Sequence, residues 1–481
     1  MLPVDSIEIT NPTLLQIGRI ADSLNVEAYV VGGYVRDKFL GKEVQDIDIV
    51  VVGDGIEFAK NVAQRFRRET VVIFERFGTA MLHLESGKIE FVSAREERYE
   101  KQSRKPVVRR ASLESDLSRR DFTINTMAAS INAPRLGAVL DPFDGQSDLA
   151  GKVIRTPLNP EQTFDDDPLR MMRALRFASQ LQFRIEENTF HAIRRMVQRI
   201  SIVSQERVAD EFFKILASPV PSVGLKLVQQ TGMAKYIMPE LEEMVGVEQR
   251  KDYHHKDVFL HTMKVVDNIA QTTDDVWLRF AALVHDIAKP RTKAFIDGVG
   301  WTFHGHEEIG ARMMKSMFRR MKFPMDRLDY VEKLVRLHLR PMVLVSEEVT
   351  DSAVRRLMFE AGQDVDDLML LCRADITSQN PQRVVKFLKN YELVIEKMKE
   401  VEEKDRIRNW QPPVKGNEIM EVCGIGPSRL VGVLKEAIEN AILDGYIPND
   451  HEAALAYLLS VKDSLIQKYQ SENPEESAGK A

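Results

Sequence analysis

Two periodicities alternate along the first hundred residues. Leu14, Leu15, Ile17, Ile20 and Leu24 are apolar at near-helical spacing, which predicts a helix over 11–24. AYVVGG reads as a strand ending in a turn, and YVRDKFLG as a short helix closed by Gly41. DIDIVVVG has the pattern of a buried strand, ended by Gly53 and Gly55. EFAKNVAQRF returns to helical spacing. VVIFERFGTAMLHLESGKIEFVSARE predicts further strands, with SGK as a hairpin-like turn. That hairpin is antiparallel, so the sheet of this α/β unit cannot be purely parallel.

Residues 100–118 are polar and basic with few apolar anchors, which predicts a mobile loop, and RRDFTINTMAAS has the look of a helix after it. DPFDGQSDLAGKVIRT is turn-rich and suggests a tight structured loop. From Asp165 the pattern turns helical: DPLRMMRALRFASQL, ENTFHAIRRMVQRI, VADEFFKILAS. The change near 160 is the clearest boundary. The expected division is a head over 1–160, a helical neck over 161–250, a second helical block over 251–400, a C-terminal helical segment over 401–470 after the QPPVKG break, and a disordered tail over 471–481. The fold class is α+β, a mixed sheet followed by all-helical regions.

A chain of 481 residues is too long for one ordinary core, and its 44% hydrophobic and 29% charged content is that of a folded soluble protein. Cys372 and Cys423 have no nearby partner, so a disulfide scaffold or cysteine zinc site is not expected. The N-terminus lacks the pattern of a signal peptide, and no apolar run reaches the ~20 residues of a membrane span. These features predict a cytoplasmic protein without a membrane partner. The net charge of −6 argues against a nucleic-acid partner only as an average. Between Pro168 and Arg207 there are eight arginines, no lysine and three acids, and 101–120 adds seven more basic residues. Such clustering is compatible both with a polyanionic partner and with solvated helix faces.

Asp46 and Asp48 are two apart on a strand, so both leave the same face, with Cα atoms roughly 6.6 Å apart. Ile47 and Ile49 point into the core. Like charges this close repel, a cost that a divalent cation removes, and hard carboxylate oxygens point to Mg²⁺. Gly32 and Gly33, between a strand and a helix, let backbone N–H groups approach a phosphate, and Arg36 one turn on can reach it. Asp37 serves to orient an arginine. A glycine pair alone equally makes a tight turn, and paired carboxylates alone a solvated strand end. Their order within twenty residues is what points to phosphate and metal together. Glu90, on a strand with apolar neighbours, is the candidate third acid. Two Mg²⁺ ions held this way suit a phosphoryl transfer in which one activates an attacking hydroxyl and the other steadies a triphosphate.

GGYVRD, DIDI, RRDFTINTMA, DPFDG and DDPLRMMRALRFA, in this order over about residues 14–240, resemble the bacterial tRNA nucleotidyltransferase and poly(A) polymerase family, whose head is polymerase-β-like. The resemblance implies that Asp46 and Asp48 bind metal, with Glu90 near the third acidic position. It implies that Gly32, Gly33 and Arg36 hold phosphates, and that Arg119, Arg120, Asp121 and Asn125 make ribose and phosphate contacts. Asp167 and Arg170, with Arg173 on the same helix, would read the incoming base. Asp166 stands where the family commonly has glutamate, and the run from Ser204 to Arg207 resembles the start of the next neck motif. Asp167 and Arg170, three apart on a helix, share a face. Aspartate accepts from an exocyclic amine and arginine donates to a ring acceptor, an order that cytosine and adenine match and guanine and uracil reverse.

Seven of the ten histidines lie between 254 and 338. LVHDIAKP, HGHEEIGA, LVRLHLRP and CRADITS resemble the HD domain, a helical metal-dependent phosphohydrolase fold, over about 253–380. His285 and Asp286, adjacent on a helix, can converge on one ion, and imidazole with carboxylate suits Mn²⁺, Fe²⁺, Co²⁺, Ni²⁺ or Zn²⁺ better than Mg²⁺. The resemblance implies His261, His285, Asp286 and Asp375 as core ligands and His306 and His338 as those of a second metal. Histidines in helical cores are often structural, a reading that weighs more for His254 and His304 than for the others. The segment from Val414 onward resembles the family's C-terminal part, which implies contacts with the RNA elbow.

Together these features predict CCA addition to tRNA 3′ ends from CTP and ATP, with tRNA as partner and no obligate protein partner. Poly(A) polymerase, an A-only or CC-only enzyme, an HD-type RNA-end phosphohydrolase and a plain RNA-binding module are the alternatives.

Overall fold

Asn11 opens the first helix: its side chain accepts the backbone N–H groups of Thr13 and Leu14, Pro12 stands in the first turn, and Leu14, Ile17, Ile20 and Ala21 of α1 (Pro12–Ser23) are buried. The computed structural model describes residues 5–473 except 45, 69, 76–77, 85–86, 99–106, 249–256, 347–349, 378–379 and 406–411. The chain forms two units, residues 1–243 with 320–323, and 244–319 with 324–481.

After α1 the first unit continues through β1 (Glu27–Val31), α2 (Gly33–Phe39), β2 (Ile47–Val52), α3 (Gly55–Arg65), β3 (Val72–Phe74), β4 (Thr79–Leu84), β5 (Gly87–Ser93), β6 (Arg95–Arg98), β7 (Val107–Arg110), α4 (Leu113–Ser118), β8 (Ala128–Ser130) and β9 (Val139–Leu140). Seven strands form one sheet in the order β3-β4-β5-β2-β1-β8-β9. Only β2 and β5 are parallel, so the sheet is mixed, as the hairpin pattern requires. Ile47 and Ile49 turn into the core beside Ile89 and Phe91, and Phe91 meets Phe58 of α3 edge-on at 5.8 Å. The parallel pairing sets Asp48 directly beside Glu90.

Two sequence expectations are corrected here. Residues 107–110 of the expected mobile loop pair as β7 with β6, and 113–118 form α4, capped by Ser112; 99–106 lie outside the described residues. RRDFTINTMAAS is not a helix. Phe122 is extended, 123–125 make one 3₁₀ turn, and Ala128–Ser130 pair with β1. The open edge of β1 offers ladder hydrogen bonds to a run whose apolar residues suit a strand as well as a helix.

The rest of the first unit is α5 (Gly145–Ala150), β10 (Val153–Ile154), α6 (Pro160–Asp166), α7 (Leu169–Leu181), β11 (Arg184–Ile185), α8 (Glu187–Met196), α9 (Gln205–Leu216), α10 (Pro221–Gln230), α11 (Ala234–Ile237) and α12 (Pro239–Glu243). Helix α7 is the centre of this part, its Met171, Met172, Ala174, Leu175 and Ala178 buried against α9 and α10.

The second unit runs α13 (Val258–Ala270), α14 (Val276–Val284), α15 (Lys289–Thr292), β12 (Ala294–Ile296), β13 (Gly300–Thr302), α16 (His306–Met321), α17 (Leu328–Leu337), α18 (Leu339–Ser346), α19 (Asp351–Ala361), α20 (Val365–Asp375), α21 (Pro381–Asp405), α22 (Gly416–Cys423), α23 (Arg429–Leu443) and α24 (His451–Glu472). The expectation of all-helical regions after the head therefore needs amending. They are largely helical, but β10 pairs with β11 and β12 with β13. The second pair is a hairpin around Asp297-Gly298, a turn signal that the helical context obscured. The last three helices bury Val414, Ile419, Leu434, Ile438 and Leu458 in their own core. Helix α24 reaches Glu472, past the expected start of the tail at 471, and 474–481 lie outside the described residues. Among the described residues, no helix is long and apolar enough to cross a membrane.

Candidate active site and metal centre

Asp48 and Glu90 stand side by side on β2 and β5, both half-buried, while Asp46 lies just before β2 and is exposed. Burial raises the Asp48 carboxyl above the ordinary carboxylate range, with Arg120 opposing and Asp46 adding to the rise. Burial likewise raises Glu90, and the neighbouring Asp48 raises it further. Three acids thus gather at or just before the central strands β2 and β5, a donor set of hard oxygens that fits a divalent cation. Their oxygens do not come within 4.8 Å of one another as a group of three.

Gly32 has φ +64° and precedes α2. A Cβ there would lie 3.0 Å from Nη1 of Arg120, and one on Gly33 would lie 3.6 Å from Nη2 of Arg36. Two guanidiniums therefore lie over the glycine pair, in space that side chains would fill. Arg36 is gripped by both oxygens of Asp37 at 2.8 Å, the orienting role expected of Asp37, and it donates to Asn125 Oδ1 at 2.8 Å.

From Asn125 the network runs on into α7. Oδ1 of Asp121 accepts from Asn125 at 3.0 Å and from the backbone of Phe122 at 2.9 Å. Oδ2 accepts from Arg173 at 2.6 and 2.8 Å. Burial would raise the Asp121 carboxyl, but Arg173, Asn125 and Arg170 hold it down at about 2. Arg36, Arg173 and Arg176 crowd one buried ring, Phe177, at 5.2, 5.4 and 4.2 Å. Arg176 reaches Glu211 at 3.1 Å.

A cleft of about 380 Å³ opens beside this network and is lined by Arg119, Arg120, Asp121, Asp167, Arg170, Arg173 and Arg207, among others. Asp167 and Arg170 both line it, but they do not share a helix. Asp167 is extended, ending α6, and its Oδ1 accepts the N–H of Leu169 at the start of α7. Pro168 is the reason, because the residue before a proline is pushed out of helical backbone. Arg170 is fixed by donating to the carbonyls of Arg119, at 2.7 Å, and Thr163, at 3.3 Å. Arg207 donates to Asp167 at 3.2 Å.

Sequence reasoning passed over Asp116, which is fully buried. It receives Arg119 at 2.6 Å and Arg120 at 3.2 Å and so aims both into the cleft. Asp116 on α4 stands three and four residues before these arginines, which follow the helix, and that spacing was the available signal. Phe177 and Glu211 were passed over because an apolar helix position and a lone neck glutamate look like ordinary packing.

In the second unit, six expected ligands converge. His261 is on α13, His285 and Asp286 follow the end of α14 rather than sitting within a helix, His306 begins α16, His338 ends α17 and Asp375 ends α20. The two oxygens of Asp286 divide them. Oδ2 faces Nε2 of His285 at 3.2 Å and of His261 at 3.5 Å, while Oδ1 faces His306 at 3.2 Å and His338 at 3.8 Å. Asp375 Oδ1 lies 2.9 Å from His261 and 3.7 Å from His285. His261, His285 and Asp286 form one group with metal-binding spacing, and Asp286, His306 and His338 another.

The outer nitrogens are committed. Nδ1 of His285, His306 and His338 each faces the carbonyl three residues back, at 2.7–2.8 Å, which makes Nδ1 the donor and leaves each Nε2 lone pair pointing inward. His261 Nδ1 meets Thr377 Oγ1 at 3.0 Å. Nε2 of His285 is buried without a hydrogen bond of acceptable geometry. Burial would raise Asp286, but His285 and Lys289 hold it well below the usual range. Burial pushes His338 down to about 3, helped by His285 and His306. This donor set fits divalent cations of the Mn²⁺-to-Zn²⁺ class. His304 lies exposed outside the cluster, and His254 and His255 fall outside the described residues.

Known families match three stretches of the chain. Residues 28–155 match the poly A polymerase head domain, 182–245 the probable RNA and SrmB-binding site of polymerase A, and 253–379 the HD domain. A multifunctional CCA protein of Methylococcus capsulatus is 34% identical over 73% of this chain and 81% of its own. An A-adding tRNA nucleotidyltransferase of Deinococcus radiodurans is 31% identical over 76% and 81%. Among solved structures, a tRNA nucleotidyltransferase complexed with a primer tRNA and an incoming ATP analogue superposes with a TM-score of 0.58 at 27% identity, over 80% of this chain and 99% of that one. The acid pair on the parallel strands, the arginine cleft and the histidine cluster thus lie in a chain that belongs to the CCA-adding tRNA nucleotidyltransferase and poly(A) polymerase family, in its HD-domain-bearing form.

Proposed function

We propose that this nucleotidyltransferase adds CCA to tRNA 3′ ends from CTP and ATP. The observation that carries the reading is the continuous network from the glycine pair through Arg36, Asn125, Asp121 and Arg173 to the cleft of Asp167 and Arg170. It ties a phosphate cradle to a base-sized recess. In the reaction, the tRNA 3′-hydroxyl oxygen bonds to the α-phosphorus, the bond to pyrophosphate breaks, and the hydroxyl proton leaves. Mg²⁺ held by Asp46 and Asp48, with Glu90, would supply Lewis-acid activation of the hydroxyl and charge neutralisation of the phosphates. Gly32, Gly33, Arg36 and Arg120 bind the triphosphate, and Arg119 and Asn125 flank the ribose. Asp167 accepts the exocyclic amine of cytosine or adenine, and Arg170 donates to the adjacent ring nitrogen. Guanine and uracil present the reverse order. The two free cysteines support work in the cytoplasm.

A gel assay tests this. The protein with Mg²⁺ receives tRNA ending before CCA, with CTP, ATP or both. Growth by two with CTP and by one more with ATP is expected. A long ladder with ATP alone would mean poly(A) polymerase, and a lone A or only C residues a split-function enzyme.

A second reading concerns the HD centre, favoured by Asp286 presenting one oxygen to each histidine group. We infer a phosphohydrolase acting on RNA-end phosphoesters. A cation there would supply an activated water. Asp286→Ala should remove hydrolysis of a 2′,3′-cyclic phosphate and spare nucleotide addition; loss of addition instead would make the block structural.

A further inference from the structure

Neither reading uses the hairpin of β12 and β13, whose two ends are tied to the HD centre. Before it, Lys289 of α15 places Nζ 2.6 Å from Oδ2 of Asp286. After it, the carbonyl of Phe303 accepts Nδ1 of His306, and the Phe303 ring lies 5.7 Å from Lys289 Nζ. The base is closed by Thr302, buried, whose hydroxyl donates to the Ala294 carbonyl at 3.2 Å.

Beyond that base the hairpin is apolar and open to solvent. Phe295 is 43% exposed, Ile296 43%, Val299 73% and Trp301 36%. Phe295 and Trp301 face each other across the strands, rings 5.2 Å apart, and Lys293 Nζ sits 4.2 Å from the indole centroid. Lys289, Arg291 and Lys293 lead into the hairpin, and Asp297 at its tip is the one acid between 289 and 304. A two-stranded hairpin gains little stability from leaving aromatic rings in water, so an exposed patch of this kind marks a contact surface. Paired aromatics with flanking cations, on an element rising from a phosphoester site, match the chemistry of single-stranded nucleic acid: bases stack on rings and phosphates meet basic side chains. An acidic or purely apolar protein partner would leave one half of that pattern unused.

We propose that this hairpin is the docking platform for the single-stranded 3′ end of an RNA entering the HD centre, its bases stacked on Trp301 and Phe295 and its phosphates on Arg291 and Lys293. The proposal rests on the phosphohydrolase reading above. The test uses the full chain with Mn²⁺ and two substrates, an eight-residue oligoribonucleotide ending in a 2′,3′-cyclic phosphate and the small diester bis(p-nitrophenyl) phosphate. Trp301→Ala should raise KM for the oligonucleotide about tenfold, the scale of one lost stacked base. It should leave kcat on that substrate and both constants for the small diester unchanged, and Trp301→Phe should recover most of the loss. An unchanged KM overturns the proposal. So does a Trp301→Ala variant whose only change is loss of self-association in gel filtration, which would make the face a contact between copies of the chain. Photo-cross-linking of an oligonucleotide ending in 4-thiouridine separates the two readings. Cross-links within 293–303 in a protein that hydrolyses nothing would keep the platform and remove the hydrolase. Hydrolysis with cross-links only elsewhere would do the reverse.

Discussion

Replacing Asp121 by asparagine keeps the shape of the side chain and removes its charge, and the structure says this should be costly. Both carboxylate oxygens of Asp121 accept two donors each: Asn125 and the Phe122 backbone on one, two guanidinium nitrogens of Arg173 on the other. An amide must turn its NH₂ towards one of these pairs, donor against donor, whichever way it flips. The gap between the ordinary value of 3.8 and about 2 in the folded protein corresponds to roughly 2 kcal/mol favouring the ionised form. With the unmade hydrogen bond added, the expected loss is ~3 kcal/mol. That is a fall of ~6–12 °C in the melting of a unit this size. The sign of the pH dependence follows. A depressed carboxyl contributes stability that is complete above 3.8 and lost only as pH falls through about 2. The difference between wild type and Asp121→Asn should therefore be the same at about pH 5.5 and pH 8. Urea denaturation at both values, followed by a probe in the first unit, measures it. A difference below ~0.5 kcal/mol, within the range of an ordinary surface substitution, would refute the reasoning. So would one that changes between the two pH values.

Asp48→Asn should bring nucleotide addition below detection and yet raise the melting temperature of the protein in EDTA. Its carboxyl is raised by burial, so ionising it opposes folding increasingly as pH rises through the folded value. The gain should be present at pH 8 and shrink as pH falls towards the ordinary carboxylate value of 3.8, and an unchanged melting temperature at pH 8 would count against the burial argument. Gly18→Ala should destabilise the head by ~1–3 kcal/mol despite alanine's better helix propensity. The reason is that the new Cβ would fall 1.9 Å from the Ile131 carbonyl oxygen. A melting curve at or above wild type would show that α1 can shift freely off the sheet.

Much of this protein is local, and for that reason it is readable along the chain. Ile47 and Ile49 face the core and Asp48 does not because strand side chains alternate, although Asp46 falls just short of the strand; Gly32 opens a helix with a positive φ that favours glycine, and the antiparallel hairpin that carries Glu90 forces a mixed sheet. The ligand spacings around His285 and Asp286 likewise survive as short motifs. What the chain could not state is where distant segments meet. RRDFTINTMA became a turn and a strand because the edge of β1 was available to it, and no window of ten residues contains that edge. Asp167 and Arg170 meet in a cleft because Arg119 and Thr163 carbonyls fix the arginine from outside its own helix. Asp116, Phe177 and Glu211 matter only once arginines from separate elements arrive around them. Sequence by itself determined the residue types, their order and their periodicity, since these follow from backbone geometry and side-chain chemistry. The tertiary structure alone decided which charges share a low-dielectric space, because that depends on burial and on partners drawn from across the fold.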